Sequence, residues 1–443
     1  MPTLVLSRHL LWVLTGLFLL QFVARHLHQL FISPLRHLSG PKDHHFLLGQ
    51  TVNQLRSGSP NEPYLSWMRK WPKADLIRYF NVGNSDAVLS PFLKRLVAGI
   101  VGMGLVFAEG NEHKKQRRLS GLFSSGHLKA LLPVFQDKVH HLSRLLGQII
   151  ETEDGVHYHK VFEPAGVGQF LTAINGIFPI RWLPVEASRR FIQANKAIPN
   201  QLTDIIHDRI PSVKARKVAG MDAKSGKAGD LLTYLVAENY FAGNGDSDRW
   251  SEEDILNQTL SFLAAGHETT AGACVWATQL LIEHPDKPAD SGTSLPYLNN
   301  FVREVLRLQC PAINIAREAA EDVRIQGTLL RKGTTVVMQQ AIVQRNPTIW
   351  GPDCDEFNPN RWDHLEGDAP DSWALMTFSQ GLRVSISKAM FMLEFKVILI
   401  ELVSKFDFEA VSPVKMNEIK LINPSALLRP EGGLRVRVNN VAD

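Results

Sequence analysis

Cysteine is scarce in this chain: three residues in 443, Cys274, Cys310 and Cys354, with no CxxC pair and no cysteine–histidine cluster. That scarcity argues against a disulfide framework and against structural zinc, and it fits a body kept in a reducing compartment. Charge of one sign is also lacking. The formal net charge is +4 with the basic residues scattered, so no nucleic-acid partner is expected. No segment repeats at a fixed period, and no second linker divides the chain beyond its first forty or so residues.

What is present is a globular composition, 44% hydrophobic and 21% charged. The run LVLSRHLLWVLTGLFLLQFV, Leu4 to Val23, is about long enough to span a bilayer as a helix. A cleaved signal peptide is the alternative, but no A-x-A-like site follows. Arg25, Arg36 and Lys42 outweigh Arg8, which places the bulk of the chain on the cytosolic side. Residues 4–24 are therefore expected to be a transmembrane signal anchor, with Pro34 and Pro41 forming a stiff hinge into one domain over 34–443.

The middle of the chain reads as helix. LKALLPVFQDKVHHLSRLLGQII carries Leu131, Leu132, Val134, Val139, Leu142, Leu145 and Leu146 at helical spacing. Residues 213–230, polar and glycine-containing, read as a mobile surface loop. A long helix then starts at the N-cap Ser251, with Asp254 three residues on, and stops at His284-Pro285. It is apolar nearly all round, as expected of a helix through the middle of a large domain. Strands are few and late: a hairpin in DVRIQGTLLRKGTTVVM around Gly327 and Gly333, and GGLRVRV near the end. The fold class expected is mainly α, an α+β domain with small sheets.

Ala265-Gly266-His267-Glu268-Thr269-Thr270 sits at the centre of the long helix. Threonine hydroxyls there can bond preceding carbonyls, glycine admits a flat ligand, and Glu268 beside Thr269 could pass protons through water. A glycine-containing helix packed on its neighbour is the bland alternative. Glu304 and Arg307 stand three apart on the next helix, one face, and form a natural ion pair. Alone that spacing means little, because Glu186 and Arg189 have it too. Order gives it value: Arg317-Glu318-Ala319 follows, then FNPNRW from Phe357, then FSQGLR from Phe378.

In that order the motifs resemble the cytochrome P450 family, in its membrane-anchored, microsomal form and with a fungal flavour. The resemblance runs from the SPLRHLSGPK hinge through GLVFAEGNEHKKQRR, AGHETT, LPYLNNFVREVLR, QRNPTIWG and FSQGLR to GGLRVRV. It implies a helical haem (heme) domain on the endoplasmic reticulum membrane, facing the cytosol. Iron monooxygenase chemistry would take electrons from an NADPH-dependent reductase and oxidise a lipophilic small molecule, such as a fungal secondary metabolite. By the same resemblance Glu268 and Thr269 are the catalytic acid–alcohol pair, with Ala265 and Gly266 over the haem. Arg117, Arg317 and Arg383, with His113, match groups that bond the haem propionates, a use suited to planar forked donors. Phe378 and Gly381 belong to the cofactor loop. Glu304, Arg307 and Arg361 form the structural lock beneath it.

The departures are as informative. The family's loop reads Phe-x-x-Gly-x-Arg-x-Cys-x-Gly, its cysteine thiolate ligating iron. Here Ser385 holds the metal-ligand position and Ser387 the second glycine. A serine hydroxyl is neutral near pH 7 and a poor iron ligand, and the electron push of the thiolate is lost with it. Ser385 also precedes an apolar helix and is expected to serve as its N-cap. The three cysteines are expected to behave as small hydrophobes, not as replacement ligands. Segments near 85–95 and 285–295 are short against the family, and Asn360 replaces an acidic residue before Arg361. Three readings stand: a pseudoenzyme keeping the fold with haem or lipophilic-ligand binding, an active oxidoreductase with unusual ligation, and a non-enzymatic membrane protein without haem.

Overall fold

The computed structural model describes residues 101–152, 186–218, 231–241, 250–285 and 295–441, apart from 313, 326, 413 and 423–426, together with 57, 59, 61–70, 88–89 and scattered positions before residue 33. Its helices are α1 (Glu62–Lys70), α2 (Gly110–Arg117), α3 (Ser125–Thr152), α4 (Glu186–Val218), α5 (Leu231–Phe241), α6 (Glu252–Glu283), α7 (Leu295–Leu308), α8 (Gln340–Gln344), α9 (Pro347–Trp350) and α10 (Lys388–Lys405). The strands are β1 (Val88–Leu89), β2 (Asn314–Glu318), β3 (Val323–Ile325), β4 (Thr328–Leu330), β5 (Thr335–Gln339), β6 (Phe406–Ala410), β7 (Leu421–Ile422), β8 (Arg429–Pro430) and β9 (Val436–Asn440). The anchor expected at 4–24 and the two shortened segments lie almost wholly outside the described residues. Among the described residues no helix is long and apolar enough to cross a membrane.

α6 is the axis of the molecule. Ser251 Oγ accepts the Asp254 amide at 3.0 Å while Asp254 accepts the Ser251 amide at 2.9 Å, a complete capping box. Past the cap, Ala273, Trp276, Ala277 and Leu280 are fully buried against Val302, Val305 and Leu306 of α7 and Phe391, Phe395 and Leu399 of α10. Each large side chain buried in this way contributes about 1.5–3 kcal/mol. The first half of α6 packs differently: Ile255 joins Ile206 and Val213 of α4 and Leu235 and Val236 of α5.

Helix α3 lies along α10, placing Leu128, Leu131 and Phe135 on Met390, Leu393 and Val397. Of the apolar positions expected to be core in this helix, Leu131 and Val139 are buried, whereas Val134, Leu142 and Leu145 remain exposed. A polar lock reinforces the same pair of helices. Glu401 of α10 accepts hydrogen bonds from Lys405 at 2.6 Å and Ser143 at 2.7 Å, and its Oε1 lies 2.8 Å from His140 Nδ1.

Two expectations are corrected. Residues 213–218 are helical, the end of α4, because Val213 is buried among Ile206 and Leu235 while Lys214 is exposed. The rest of that loop, 219–230, lies outside the described residues. The late hairpin is also shorter than expected. Only β3 and β4 pair across Gly327; beyond Gly333 the chain leaves, and β5 pairs antiparallel with β2, which in turn pairs with β1. β6, straight after α10, pairs antiparallel with β9, and Phe408 faces Val438 in register. The result is a mostly helical molecule with small sheets at its margins.

Candidate functional site

Below α6 a carboxylate gathers the chain. Glu304 is fully buried, and its Oε1 accepts from Arg307 Nη2 at 2.8 Å, Arg361 Nε at 3.0 Å and the Asn358 amide at 3.0 Å. Its Oε2 accepts from Arg307 Nε and Trp362 Nε1, both at 2.9 Å. Arg307, equally buried, donates onward to the Gln344 carbonyl at 2.8 Å and the Cys354 carbonyl at 2.6 Å. One helix turn thus fixes α8, the segment around 353–358 and the turn at Arg361. The bidentate geometry and the further donors are what make a buried pair tolerable.

The loop Phe378–Ser387 hangs from this lock through residues the sequence did not flag. Gln340 Nε2 donates to the Met376 carbonyl at 2.8 Å, and Gln344 Nε2 donates to the Leu306 carbonyl at 3.0 Å. Thr377 Oγ1 lies 3.1 Å from both the Leu306 carbonyl and Gln344 Oε1. Glutamines on a four-residue spacing, Gln340 and Gln344, were the available signal. The loop then closes on itself: the Ser385 amide donates to the Phe378 carbonyl at 2.9 Å, and Gly381 adopts φ +67°, where glycine is at ease. Phe378 packs edge-on to Phe391 of α10, centroids 5.4 Å apart.

Ser385 does not cap α10. The cap position belongs to Ser387, whose φ −91° and ψ 8° are not extended and whose side chain makes no cap hydrogen bond. Instead Ser385 Oγ and Ser387 Oγ meet at 3.1 Å. The loop's internal bond ties the Ser385 amide to the Phe378 carbonyl, which leaves Ser385 two residues ahead of the cap position.

Two arginines bind the loop to α2. Arg117 Nη1 donates to the Val384 carbonyl at 2.6 Å, and Arg383 Nη1 donates to the Ala108 carbonyl at 2.8 Å. Arg317 of β2, 6% exposed, donates to the Ala316 carbonyl at 3.0 Å. These cations are electrostatically coupled. Burial and the charge of Arg383 lower Arg317 to about 10. Burial lowers Arg383, with Glu109 pulling the other way and Arg117 adding to the fall. His113 drops to about 4 through burial, then Arg383, then Arg117, so its imidazole is neutral at pH 7. Planar forked donors grouped in this way match carboxylates in geometry and charge.

The position of α2 over α6 depends on a second feature the sequence reading passed over. The Met103 amide donates to Asn257 Oδ1 at 2.9 Å, the Leu105 amide to Gln258 Oε1 at 3.1 Å, and Ser261 Oγ to the Val101 carbonyl at 2.7 Å. Gly104 permits the approach, since a Cβ there would fall 2.8 Å from the Asn257 carbonyl oxygen. Gln258 Nε2 then donates to Gln116 Oε1 of α2 at 2.6 Å.

On α6 itself Thr269 Oγ1 donates back to the Ala265 carbonyl at 2.6 Å, and the helix runs on unbroken. Glu268 is partly buried, its Oε1 3.7 Å from His267 Nδ1. Ala265 and Gly266 are exposed, and a Cβ added at Gly266 would meet nothing within 4 Å.

The haem expected from the resemblance divides this site in two. Its carboxylate side fits: three partly or fully buried arginines and a neutral histidine converge with donors to spare, and α6 presents an open, small-residue face. Its iron side does not fit. Ser385 offers a hydroxyl already engaged with Ser387, and the thiols are no substitute. Burial, with Glu394, pushes Cys274 up to about 12, and burial pushes Cys310 to about 12 while its Sγ contacts Gln340 Oε1 at 2.6 Å. Cys354 is raised by burial as well. Among the described residues no cluster of histidine, cysteine and acid could hold a metal.

Comparison with known proteins bears on the whole frame. The chain is 27% identical to cytochrome P450 monooxygenase sphH of Aspergillus fumigatus, over 93% of this chain and 89% of that protein. It is 26% identical to cytochrome P450 monooxygenase FUM15 of Gibberella moniliformis, again over 93% and 89%. The first alignment spans 501 positions, more than this chain's 443 residues, so the relative carries internal segments missing here. Among solved structures, retinoic acid-bound cyanobacterial CYP120A1 superposes with a TM-score of 0.64 at 24% identity, covering 82% of this chain and 87% of that one. A second, the cytochrome P450 CYP102L1, reaches 0.66 at 20% identity over 86% and 98%. The cytochrome P450 profile matches residues 159–290 and 288–438, well over half the chain. With motifs, fold and full-length similarity in agreement, the chain belongs to the cytochrome P450 family, for which haem is the implied cofactor.

Proposed function

We propose that this protein is a membrane-anchored P450-like pseudoenzyme: it keeps the fold and the carboxylate side of the haem site but no longer carries out haem-thiolate monooxygenation. One observation carries the reading, Ser385 at the position where the family's motif has its cysteine, with its hydroxyl turned to Ser387. A thiolate supplies the electron density that favours O–O cleavage, and a neutral hydroxyl supplies none. The loop needs no metal to hold its shape, because Arg117, Gln340 and the Ser385 amide already hold it through protein hydrogen bonds.

The test is spectroscopic. The full chain is purified, its haem content measured, and the ferrous carbon monoxide complex recorded. A thiolate-type, red-shifted Soret band in the natural chain overturns the reading. Recovery of that band in Ser385→Cys shows that the rest of the pocket is competent. If Ser385→Cys takes up no haem, the missing internal segments matter more than the ligand.

A second reading, an active monooxygenase on a lipophilic small molecule with a membrane reductase as electron donor, is favoured by the retained Glu268–Thr269 pair and the arginine cluster. A haem-free natural chain sinks it. Placement on the endoplasmic reticulum membrane rests on the apolar run from Leu4 to Val23 and the basic residues after it. Release of the protein by alkaline carbonate would refute that placement.

A further inference from the structure

The two halves of the site make separate demands on a ligand, and only one is still met. Arg117, Arg317 and Arg383 each commit one bond to a backbone carbonyl. A guanidinium carries five N–H donors, so each fork has others to offer. Buried cations that crowd one another gain most from a paired anion, and two carboxylates on one rigid body suit planar forks best. On the other side Ser385 Oγ is a neutral oxygen 3.1 Å from Ser387 Oγ. Iron(III) or iron(II) gains little there over water. In a thiolate site the metal bond adds to the carboxylate contacts and makes the protein prefer the metallated ligand.

We infer that this chain selects a tetrapyrrole by its pair of carboxylates and not by its central metal, so that metal-free protoporphyrin is as good a ligand as haem. The inference rests on the proposed loss of the thiolate and extends it from reactivity to ligand choice. Exposed apolar and small residues are available to a flat macrocycle: Leu382, between Gly381 and Arg383, is 56% exposed, and Ala265 and Gly266 are exposed on α6. The cradle itself does not wait for iron. Arg117 and Arg383 bridge α2 and the loop reciprocally, and Thr377 and Gln340 anchor the loop from behind.

The full chain in detergent micelles is titrated with haemin, protoporphyrin IX and protoporphyrin IX dimethyl ester, following quenching of tryptophan fluorescence. The two acids are expected to bind within about threefold of each other, and the ester about tenfold or more weaker. In Ser385→Cys, haemin is expected to gain about tenfold and protoporphyrin to stay unchanged. In Arg117→Gln both acids weaken by the same factor; should that variant fail to fold, the ester on the natural chain reads the same contact.

Haemin binding more than about tenfold tighter than protoporphyrin in the natural chain overturns the inference. So does an ester that binds as well as the acid, or failure of all three ligands to bind. The two proposals fail separately. A thiolate-type carbon monoxide band refutes the loss of the ligand, whereas a metal preference without that band refutes only the inference about selection.

Discussion

Arg117 and Arg383 hold each other's chain segments. The first reaches from α2 to the carbonyl of Val384, beside Arg383, and the second reaches from the loop to the carbonyl of Ala108, just ahead of α2. The exchange is a clasp between two like charges, tolerated because each guanidinium finds a backbone dipole instead of the other. Arg383→Gln should cost about 1.5–3 kcal/mol, the range for a hydrogen bond from a charged group. Hydrogen exchange at the amides of 381–385 is expected to quicken in that variant. Unchanged protection there would show that the clasp does not hold the loop.

Glu304 receives five hydrogen bonds while fully buried, and two arginines depend on it. Glu304→Ala leaves Arg307 with no carboxylate in a site it cannot leave. The expected loss is about 3–5 kcal/mol, the cost of stranding a buried charge. Urea denaturation measures it. A loss below about 1 kcal/mol would mean that water or a rearranged Asp353 replaces the carboxylate.

These two sites differ in how far the sequence revealed them. Glu304 and Arg307 were legible because both lie on one helix, three residues apart, where spacing fixes geometry. The capping box at Ser251 and the stop at His284 were legible for the same reason: local bonds have local signatures. The partners of Arg117 and Arg383 are backbone carbonyls about 270 residues away, and a carbonyl has no sequence signature. Helicity at 213–218 was hidden because six residues with one large apolar position at the start and one at the end, Val213 and Val218, are too few for a period to register. The cap of α10 falls to Ser387 and not to Ser385 because the Ser385 amide is engaged with the Phe378 carbonyl inside the loop, a contact with no signature in the sequence.

Gly104 was passed over in the sequence and is now a sharp test of packing. A methyl group there meets the carbonyl of Asn257 and the hydroxyl of Ser261, and backbone cannot step aside as a side-chain tip can. Gly104→Ala should destabilise by about 1–3 kcal/mol, as overpacking does. Because the same segment leads into α2, the variant should also weaken tetrapyrrole binding. Gly121→Ala, where nothing lies within 4 Å, is the control and should do neither.

The lock between α3 and α10 predicts an acid-sensitive contact. Burial pushes Glu401 up, but hydrogen bonds from Lys405, Ser143 and His140 outweigh it and bring the carboxyl down to about 2. A carboxylate whose pKa is lower folded than unfolded adds stability above the unfolded value, near 4.3, and loses it as pH falls through the folded one. With His140 and Lys405 about half exposed, solvent screening holds the contribution at neutral pH to about 1 kcal/mol. Natural protein and Glu401→Gln should therefore differ most above pH 5 or so and converge as pH falls toward about 2. A difference in urea midpoint that stays constant from about pH 6 to 3 would show that the hydrogen bonds, not the charge, carry the lock.

Ser379 concentrates two local costs in the loop. It is a non-glycine residue at φ +59°, and its hydroxyl is buried without a hydrogen-bond partner. The left-handed conformation costs an ordinary residue about 1–2 kcal/mol, and an unsatisfied buried hydroxyl about 1–3 kcal/mol. Glycine removes both, at a price of about 0.5–1 kcal/mol in chain entropy. Ser379→Gly should then stabilise the protein by at least about 1 kcal/mol, read as a higher urea midpoint with an unchanged slope. A lower midpoint would show that the serine is held by something the loop needs more than it needs relief from strain. A tetrapyrrole titration of the same variant would then show whether that something is the ligand.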